Sequence, residues 1–450
     1  MTNIWWIRRD LRLNDNVALH SALEAGSVLP VFILDPAFEN LSPRRKSFLY
    51  KGLSALDKDL RKRNSYLVIR KGKPIDALRQ LFDEIKAEAI HTEEDYTPYA
   101  RERDALIQKL LPLKLIQGQT VHHPKTILKQ DGRPYTVYTP YSKVWKAQLS
   151  KIKLHPAPER IDSPKGIRSE PIPAFETNPF FRAGEAEALR RLKKFTDSPI
   201  SNYADDRNRM DLDGTSALSP YLRFGMLGMR QAVNEALTAL RSTANAKGAE
   251  IWLNELIWRE FYIQILYHFP HVAKTAFNPS LANIPWRNKA SEYEAWKRGE
   301  TGVPVVDAAM RQLKETGWMH NRARMIVASF LVKDLLIDWR WGEAWFMQNL
   351  LDGDLAANNG GWQWTAGTGT DAAPYFRIFN PVLQSAKFDP NGDYIRKWVP
   401  ELQKINAKQI HAPWEYELNI AGYPSEPIVN REIVKDRTLS AYNISKEKVR

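Results

Sequence analysis

"NIWWIRRDLRLNDNVALHSALEAGSVLPVFILD" occupies positions 3–35. It opens with a short apolar run that stops at two arginines. A helical pattern, "NVALHSALEAG", follows, and then a second apolar, β-branched run. Short runs of this kind read as strands. The alternation continues through "YLVIRKG" (66–72), "AEAIHTEED" (87–95) and "LKLIQGQTV" (113–121). Between them lie the helical patterns "KSFLYKGLSALDKDLRKR", "PIDALRQLFDEIKAE" and "YARERDALIQKLL". Strand–helix alternation over the first 130 residues predicts a doubly wound parallel sheet. No G-x-G-x-x-G follows the first strand, so the standard dinucleotide fingerprint is absent.

The character changes near residue 150. "HPAPERIDSPKGIRSEPIPAFETNPF" is rich in proline and charge and has no period, which predicts an extended connector. Helical patterns then cover 184–196, 219–241, 247–269, 303–316, 319–337 and 341–351, with no convincing strand after 200. The expected organisation is an α/β domain over 1–130, a connector over 131–195 and an all-α domain over 196–450.

Composition sets limits on function. With 450 residues and 43% hydrophobic content, two or more packed domains are expected. The chain has no cysteine, which excludes disulfides, thiolate nucleophiles and Cys-ligated clusters. The longest apolar run, "MIVASFLV" (325–332), is far shorter than the ~20 residues of a membrane span. The start, "MTNIWWIRRDLRL", does not read as a signal peptide. A cytoplasmic protein without membrane contact is therefore expected. Net charge is +13 and there are 15 Trp. Cations hold phosphates and rings stack on bases, so a nucleic-acid partner fits both features.

Four later stretches carry candidate chemistry. "DLDGTSALSPYLRFG" (211–225) sets Thr215, Ser216 and Ser219 before a helical run, where hydroxyls cap free N–H groups or hold a phosphate. In "EIWLNELIWREFYIQILYHF" (250–269) the i,i+4 pairs Glu255–Arg259 and Trp258–Tyr262 form one stripe. That stripe is either functional or built around a salt bridge. "GWMHNRARM" (317–325) puts Arg322 and Arg324 in a first helical turn, against the helix dipole, which suggests that this end faces anions. "DGDLAANNGGWQWTAGTGTDAAPYFRIFNP" (352–381) combines Asn and Gly pairs with Trp362 and Trp364. Gly and Asn weaken helix interiors, so an irregular buried wall against something flat and polar is expected there.

Taken in order with "RRDLRLNDN" (8–16) and "RPYTVYTPYSKVW" (133–145), these motifs span nearly the whole chain. Together they resemble the DNA photolyase/cryptochrome family, most closely the class I cyclobutane pyrimidine dimer photolyases. The resemblance implies an N-terminal antenna domain and a C-terminal helical domain that wraps a U-shaped FAD, reduced in the active form. By motif, Asp352 and Asp354 contact the flavin side, and Asn358 sits against flavin N5. Thr215, Ser216, Ala217, Leu218 and Ser219 take the phosphate segment. Tyr203, Trp252, Arg259, Trp318 and Arg324 match further cofactor contacts. Trp258 and Trp364 match the indoles that pack on a flipped-out dimer. Met325 matches an apolar contact, Glu255 the carboxyl group that hydrogen-bonds the dimer, and Asn321 a polar contact. Arg207, Arg322, Arg377, Gln384 and Lys387 match DNA contacts. Trp362, Trp339 and Trp286 match the family's electron-transfer indoles.

The same resemblance implies light-dependent splitting of pyrimidine dimers by a monomer without a metal. A (6-4) photolyase typically carries a second His where Asn321 follows His320. A cryptochrome photoreceptor is expected to lose Glu255, Trp258 or Asn358. For the antenna, Thr97 stands where the folate-binding subgroup has Glu, and "DYTPYARERD" (95–104) is more similar to the deazaflavin-binding subgroup, with another flavin or no antenna chromophore as the alternatives.

Overall fold

The computed structural model describes residues 2–242 and 244–447. The chain forms two compact units. One comprises Met1–Tyr135, Thr139–Tyr203 and Ser216–His268; the other comprises Thr136–Tyr138, Ala204–Thr215 and Phe269–Arg450.

The first unit holds β1 (Thr2–Ile7), α1 (Val17–Ala25), β2 (Ser27–Leu34), α2 (Pro43–Arg61), β3 (Val68–Lys71), α3 (Pro74–Ile85), β4 (Ile90–Glu93), α4 (Pro98–Gln108) and β5 (Leu113–Ile116). The strands pair in the order β3-β2-β1-β4-β5, and every pairing is parallel. Ile4 stands opposite Leu29 on one side and Ile90 on the other. Residues 4–7 are buried whichever face they point to, as expected for a parallel sheet covered by helices on both sides. Asn16 starts α1 by accepting from the Leu19 N–H at 2.9 Å. Strand order reverses between β1 and β4, which places a crevice beyond the strand ends. An ionic cluster lies there. Arg8 binds both oxygens of Asp104 at 2.8 and 2.6 Å, and the Arg8 and Arg103 guanidinium groups lie 4.8 and 4.7 Å from the Trp6 ring centre.

Within the expected connector, 131–195, the chain carries neither helix nor strand from 151 to 184, but the helix Tyr138–Ala147 precedes that stretch and the helix Glu185–Asp197 follows it. That stretch is hydrogen-bonded along the sheet unit: Ile161 N–H donates to Arg63, Val28 N–H to Asp162 and Glu170 N–H to Ile69. The helices Glu185–Asp197, Ser219–Phe224, Met229–Ala239 and Ala246–His268 belong to this same unit, and two glycines show how closely its backbones approach. A Cβ on Gly225 would lie 1.7 Å from the Arg9 carbonyl oxygen, and one on Gly248 would lie 1.8 Å from that of Ile200. Only glycine permits such backbone approach.

The second unit is helical, with no strand among its described residues. Its core gathers Trp296, Val306, Leu313, Phe330, Leu331, Trp339 and Trp362. No helix among the described residues is long and apolar enough to cross a membrane.

Three expectations are corrected. The run 219–241 is two helices, Ser219–Phe224 and Met229–Ala239, because Gly225 turns left-handed at φ 63° and ends the first. The run 319–337 is an α-helix, Asn321–Ser329, that widens into a π-helical turn, Phe330–Asp334. The stretch taken for an irregular wall contains a regular helix, Leu355–Ala366. Asp354 caps it by accepting from Ala356 and Ala357 N–H. Gln363, buried within it, donates to Val272 and Thr275 carbonyls and accepts from Phe277 N–H. These long-range bonds outweigh the weak helix propensity of Asn-Asn-Gly-Gly.

Candidate functional site

In the helical unit one cavity of about 550 Å³ collects six of the ten residues expected at DNA: Arg322, Met325, Trp364, Arg377, Gln384 and Lys387. They arrive from three helices and a loop. Arg322 and Met325 come from Asn321–Ser329, Trp364 from Leu355–Ala366, and Gln384 and Lys387 from Pro381–Phe388. Arg377 comes from the loop between the last two. The lining carries three cations and no carboxylate, so it favours an anionic guest. Trp364, Met325, Phe388, Ile378, Phe379 and Leu383 supply its apolar surface.

Two lining residues not anticipated from sequence fix the position of Arg322. Asn208 accepts from its Nη2, and the Phe388 ring centre lies 4.4 Å from its guanidinium carbon. A signal for the second was present. Asn380–Pro381 has the form of an N-cap followed by proline at N1, and Asn380 does cap the helix that carries Leu383, Gln384, Lys387 and Phe388. Asn321 stands outside the lining, with its amide nitrogen 3.9 Å from Met325 Sδ. Arg207 is half-buried, one residue before Asn208, and does not line the cavity.

His320 sets the helix start under these groups. Its Nδ1 accepts from Arg322 N–H, which requires a neutral ring. Burial, reinforced by Arg322, Arg324 and Arg207, holds its pKa down to about 4, so it remains an acceptor at neutral pH.

A second group of expected residues lies in the same unit. Arg324 donates to Asp352 Oδ2 at 2.7 Å and to the Met319 carbonyl at 2.9 Å. Asp352 Oδ1 is buried and has no partner. Buried polar atoms nearly always have one, so this oxygen suits a polar group supplied by a cofactor. Asn358 Nδ2 donates to the Glu343 carbonyl at 3.0 Å, and burial pushes the Glu343 carboxyl up to about 7. Trp318 is half-buried, its N–H bound to Thr316 Oγ1. Thr215 is half-buried at the edge of the unit. These residues fit FAD in chemistry: an acidic pair, a fixed guanidinium and amides.

Trp362 and Trp339 are buried in one apolar cluster, and Trp286 packs against it, partly exposed. A Cβ on Gly342 would lie 2.1 Å from the Trp362 ring, so the helix Trp339–Asn349 presses directly on that indole.

The remaining expected residues belong to the first unit. Helix Ala246–His268 is buried along most of its length, whereas Glu255, Trp258, Arg259 and Tyr262 are half-buried. The stripe thus lies on the less buried side of the helix. The Trp258 and Tyr262 ring centres are 5.6 Å apart, as the i,i+4 spacing requires. Tyr203 and Trp252 both pack on Phe195, with ring centres at 5.4 and 5.0 Å. Ser216, Ala217, Leu218 and Ser219 form the turn into the helix Ser219–Phe224. Its N-cap is Leu218, without a side-chain cap, and Ala217 takes a left-handed φ of 47°. The N-cap residue itself therefore supplies no capping hydroxyl to this helix. Backbone conformations of that kind are held at a cost and gather at ligand-binding turns.

Comparison with known proteins agrees with this geometry. Residues 3–163 match the family model for DNA photolyase, and residues 252–444 match the model for the FAD binding domain of DNA photolyase. A curated relative from Synechococcus, deoxyribodipyrimidine photo-lyase, is 40% identical over 98% of this chain and 96% of its own. The crystal structure of a bacterial class III photolyase from Agrobacterium tumefaciens matches with TM-score 0.94 and 37% identity, covering 99% of this chain and 98% of that one. An archaeal photolyase from Sulfolobus tokodaii, solved with two FAD molecules, matches with TM-score 0.85 and 34% identity over 99% of this chain and 100% of that one. Both family models lie in order along one chain, above a sheet and a helical unit of the expected kinds, and the chain therefore belongs to the DNA photolyase family and is one of its enzymes.

Proposed function

We propose that the protein repairs cyclobutane pyrimidine dimers in DNA by light-dependent cleavage of a flipped-out dimer. The observation that carries this reading is the cationic cavity that gathers Arg322, Arg377 and Lys387 around Trp364 and Met325. A dimer removed from the stack brings two pyrimidine rings, fused through the cyclobutane, and their phosphates. Trp364 stacks on the rings while the cations bind the phosphates. Trp258 supplies a second indole, Glu255 a hydrogen bond to the dimer, and Asn321 a polar contact. The polar groups reading the dimer act best if they bind it more tightly as charge develops on it than before. Reduced FAD, when bound, supplies the electron that light sends to the dimer and that returns after the ring opens. Asp352, Asp354, Arg324 and the 215–219 turn hold and orient it, and Asn358 faces its redox-active edge.

In this reading residues 1–130 serve as the antenna domain, 131–195 as connector and 196–450 as the catalytic domain. The crevice beyond β1 and β4 is the antenna seat, with a deazaflavin favoured over folate. A monomer in the cytoplasm completes the proposal.

The test is lesion preference. Trp364→Ala and Trp258→Ala are each expected to weaken binding to dimer-containing DNA by about 1–3 kcal/mol, the usual worth of base–aromatic stacking. Undamaged DNA, held mainly through phosphates, should bind almost as before. Titration of both duplexes at one salt concentration measures the difference. An equal loss for both DNAs would make these indoles structural.

A further inference from the structure

The helix that carries Met325 continues into the π-helical turn Phe330–Asp334, and its residues at spacing four, Met325, Ser329 and Lys333, all meet the segment 364–380. Met325 lines the cavity with Trp364. Ser329 Oγ accepts from Phe379 N–H at 3.4 Å. Lys333 Nζ donates to the Ala366 carbonyl at 3.0 Å and to the Tyr375 carbonyl at 3.1 Å. Its neighbour Asp334 pairs with Arg431 at 3.5 Å. Arg431 in turn donates to the Phe379 carbonyl and to Asn380 Oδ1, at 3.0 and 3.2 Å.

Ala366 and Tyr375 bracket the loop 367–374. Trp364 lies just before this loop and Arg377 just after it, and both line the cavity. We propose that Lys333 is a positioning residue for lesion recognition: by binding the Ala366 and Tyr375 carbonyls it sets Trp364 and Arg377 across the cavity from each other, while Asp334 and Arg431 hold the downstream edge. This rests on the function proposed above.

Lys333 occupies an unfavourable place for a cation. It is 1% exposed and lies 3.9 Å from the Tyr442 ring centre. Burial pushes its pKa down to about 7. An apolar side chain would sit there at lower cost, and what it would lack is a donor able to reach two carbonyls at once. The supporting turn, Phe330–Asp334, is π-helical, a geometry that recurs at functional sites.

Two variants and two readouts test the proposal. Lys333→Met keeps the length of the side chain and removes the donors. Arg431→Leu releases the other edge from a position closer to solvent. The first readout is tryptic cleavage after Arg377 in the native, FAD-bound protein. The second is the ratio of affinities for dimer-containing and undamaged DNA, which does not change with the fraction of protein folded. In Lys333→Met, cleavage should accelerate and the affinity ratio should fall, each by about tenfold, with bound FAD unchanged. Arg431→Leu should move both in the same direction, and it decides the matter if Lys333→Met does not fold. Unchanged cleavage in a folded variant overturns the latch, and faster cleavage with an unchanged ratio overturns its role in recognition. If the unsubstituted protein shows no preference for the lesion, the proposed function fails, and the cleavage rates still decide the latch.

Discussion

Asp352→Lys is expected to strip FAD from the protein while leaving the fold in place. In the native chain the Asp352 carboxylate is 4% exposed and holds Arg324 at 2.7 Å. The substitution replaces that attraction with two cations in one buried place. Removing one partner of a buried pair costs about 3–5 kcal/mol because the other charge remains. It also removes Oδ1, the buried oxygen without a protein partner that the proposed site offers to the cofactor. A hydrogen bond to a charged group is worth about 1.5–3 kcal/mol, so its loss lowers affinity by a factor of about 10 to 10². Flavin absorbance per chain after purification measures it, and far-ultraviolet circular dichroism confirms the fold. Stoichiometric FAD in the folded variant would remove Asp352 from the cofactor site.

Trp286→Phe should abolish light-driven reduction of bound, oxidised FAD. Of the three indoles assigned to the electron route, Trp362 and Trp339 are buried, and Trp286 is the one with access toward solvent. Phenylalanine is much harder to oxidise than tryptophan, so the outer end of the route is lost. Dimer repair should survive when the flavin is first reduced chemically, because in the proposed route the indoles serve reduction and not cleavage. Absorbance under blue light with an external reductant gives the first result. Persistent photoreduction would move the outer position to Trp341 or Trp345, which pack partly buried against the same cluster.

The sheet was legible because its signals are local. Short apolar runs such as Ile4–Ile7 and Val28–Leu34 alternate with helical periods, and parallel pairing follows from that order. The helix Leu355–Ala366 was not legible, since its support lies far along the chain. Gln363 bonds to residues 88 and 91 positions away, and Trp362 rests on Gly342. The break at Gly225 was hidden for a similar reason, because the Arg9 backbone that demands a glycine lies in another part of the sequence. At the site, the stripe of Glu255, Trp258, Arg259 and Tyr262 follows from helical spacing. Arg377, Gln384 and Lys387 have no such pattern, and the family resemblance alone drew attention to them. Lys333 escaped notice because a lone lysine inside an apolar helix reads as solvated, and only the carbonyls of a distant loop show why it is buried.

Light-dependent repair is open to direct measurement. The most direct measurement incubates FAD-reduced protein with an oligonucleotide carrying one thymine dimer and follows recovery of the unmodified strand under blue or near-ultraviolet light and in the dark. The account predicts recovery in the light only, and none with Asp352→Lys. Equal recovery in the dark, or none in the light with FAD bound and reduced, would contradict it.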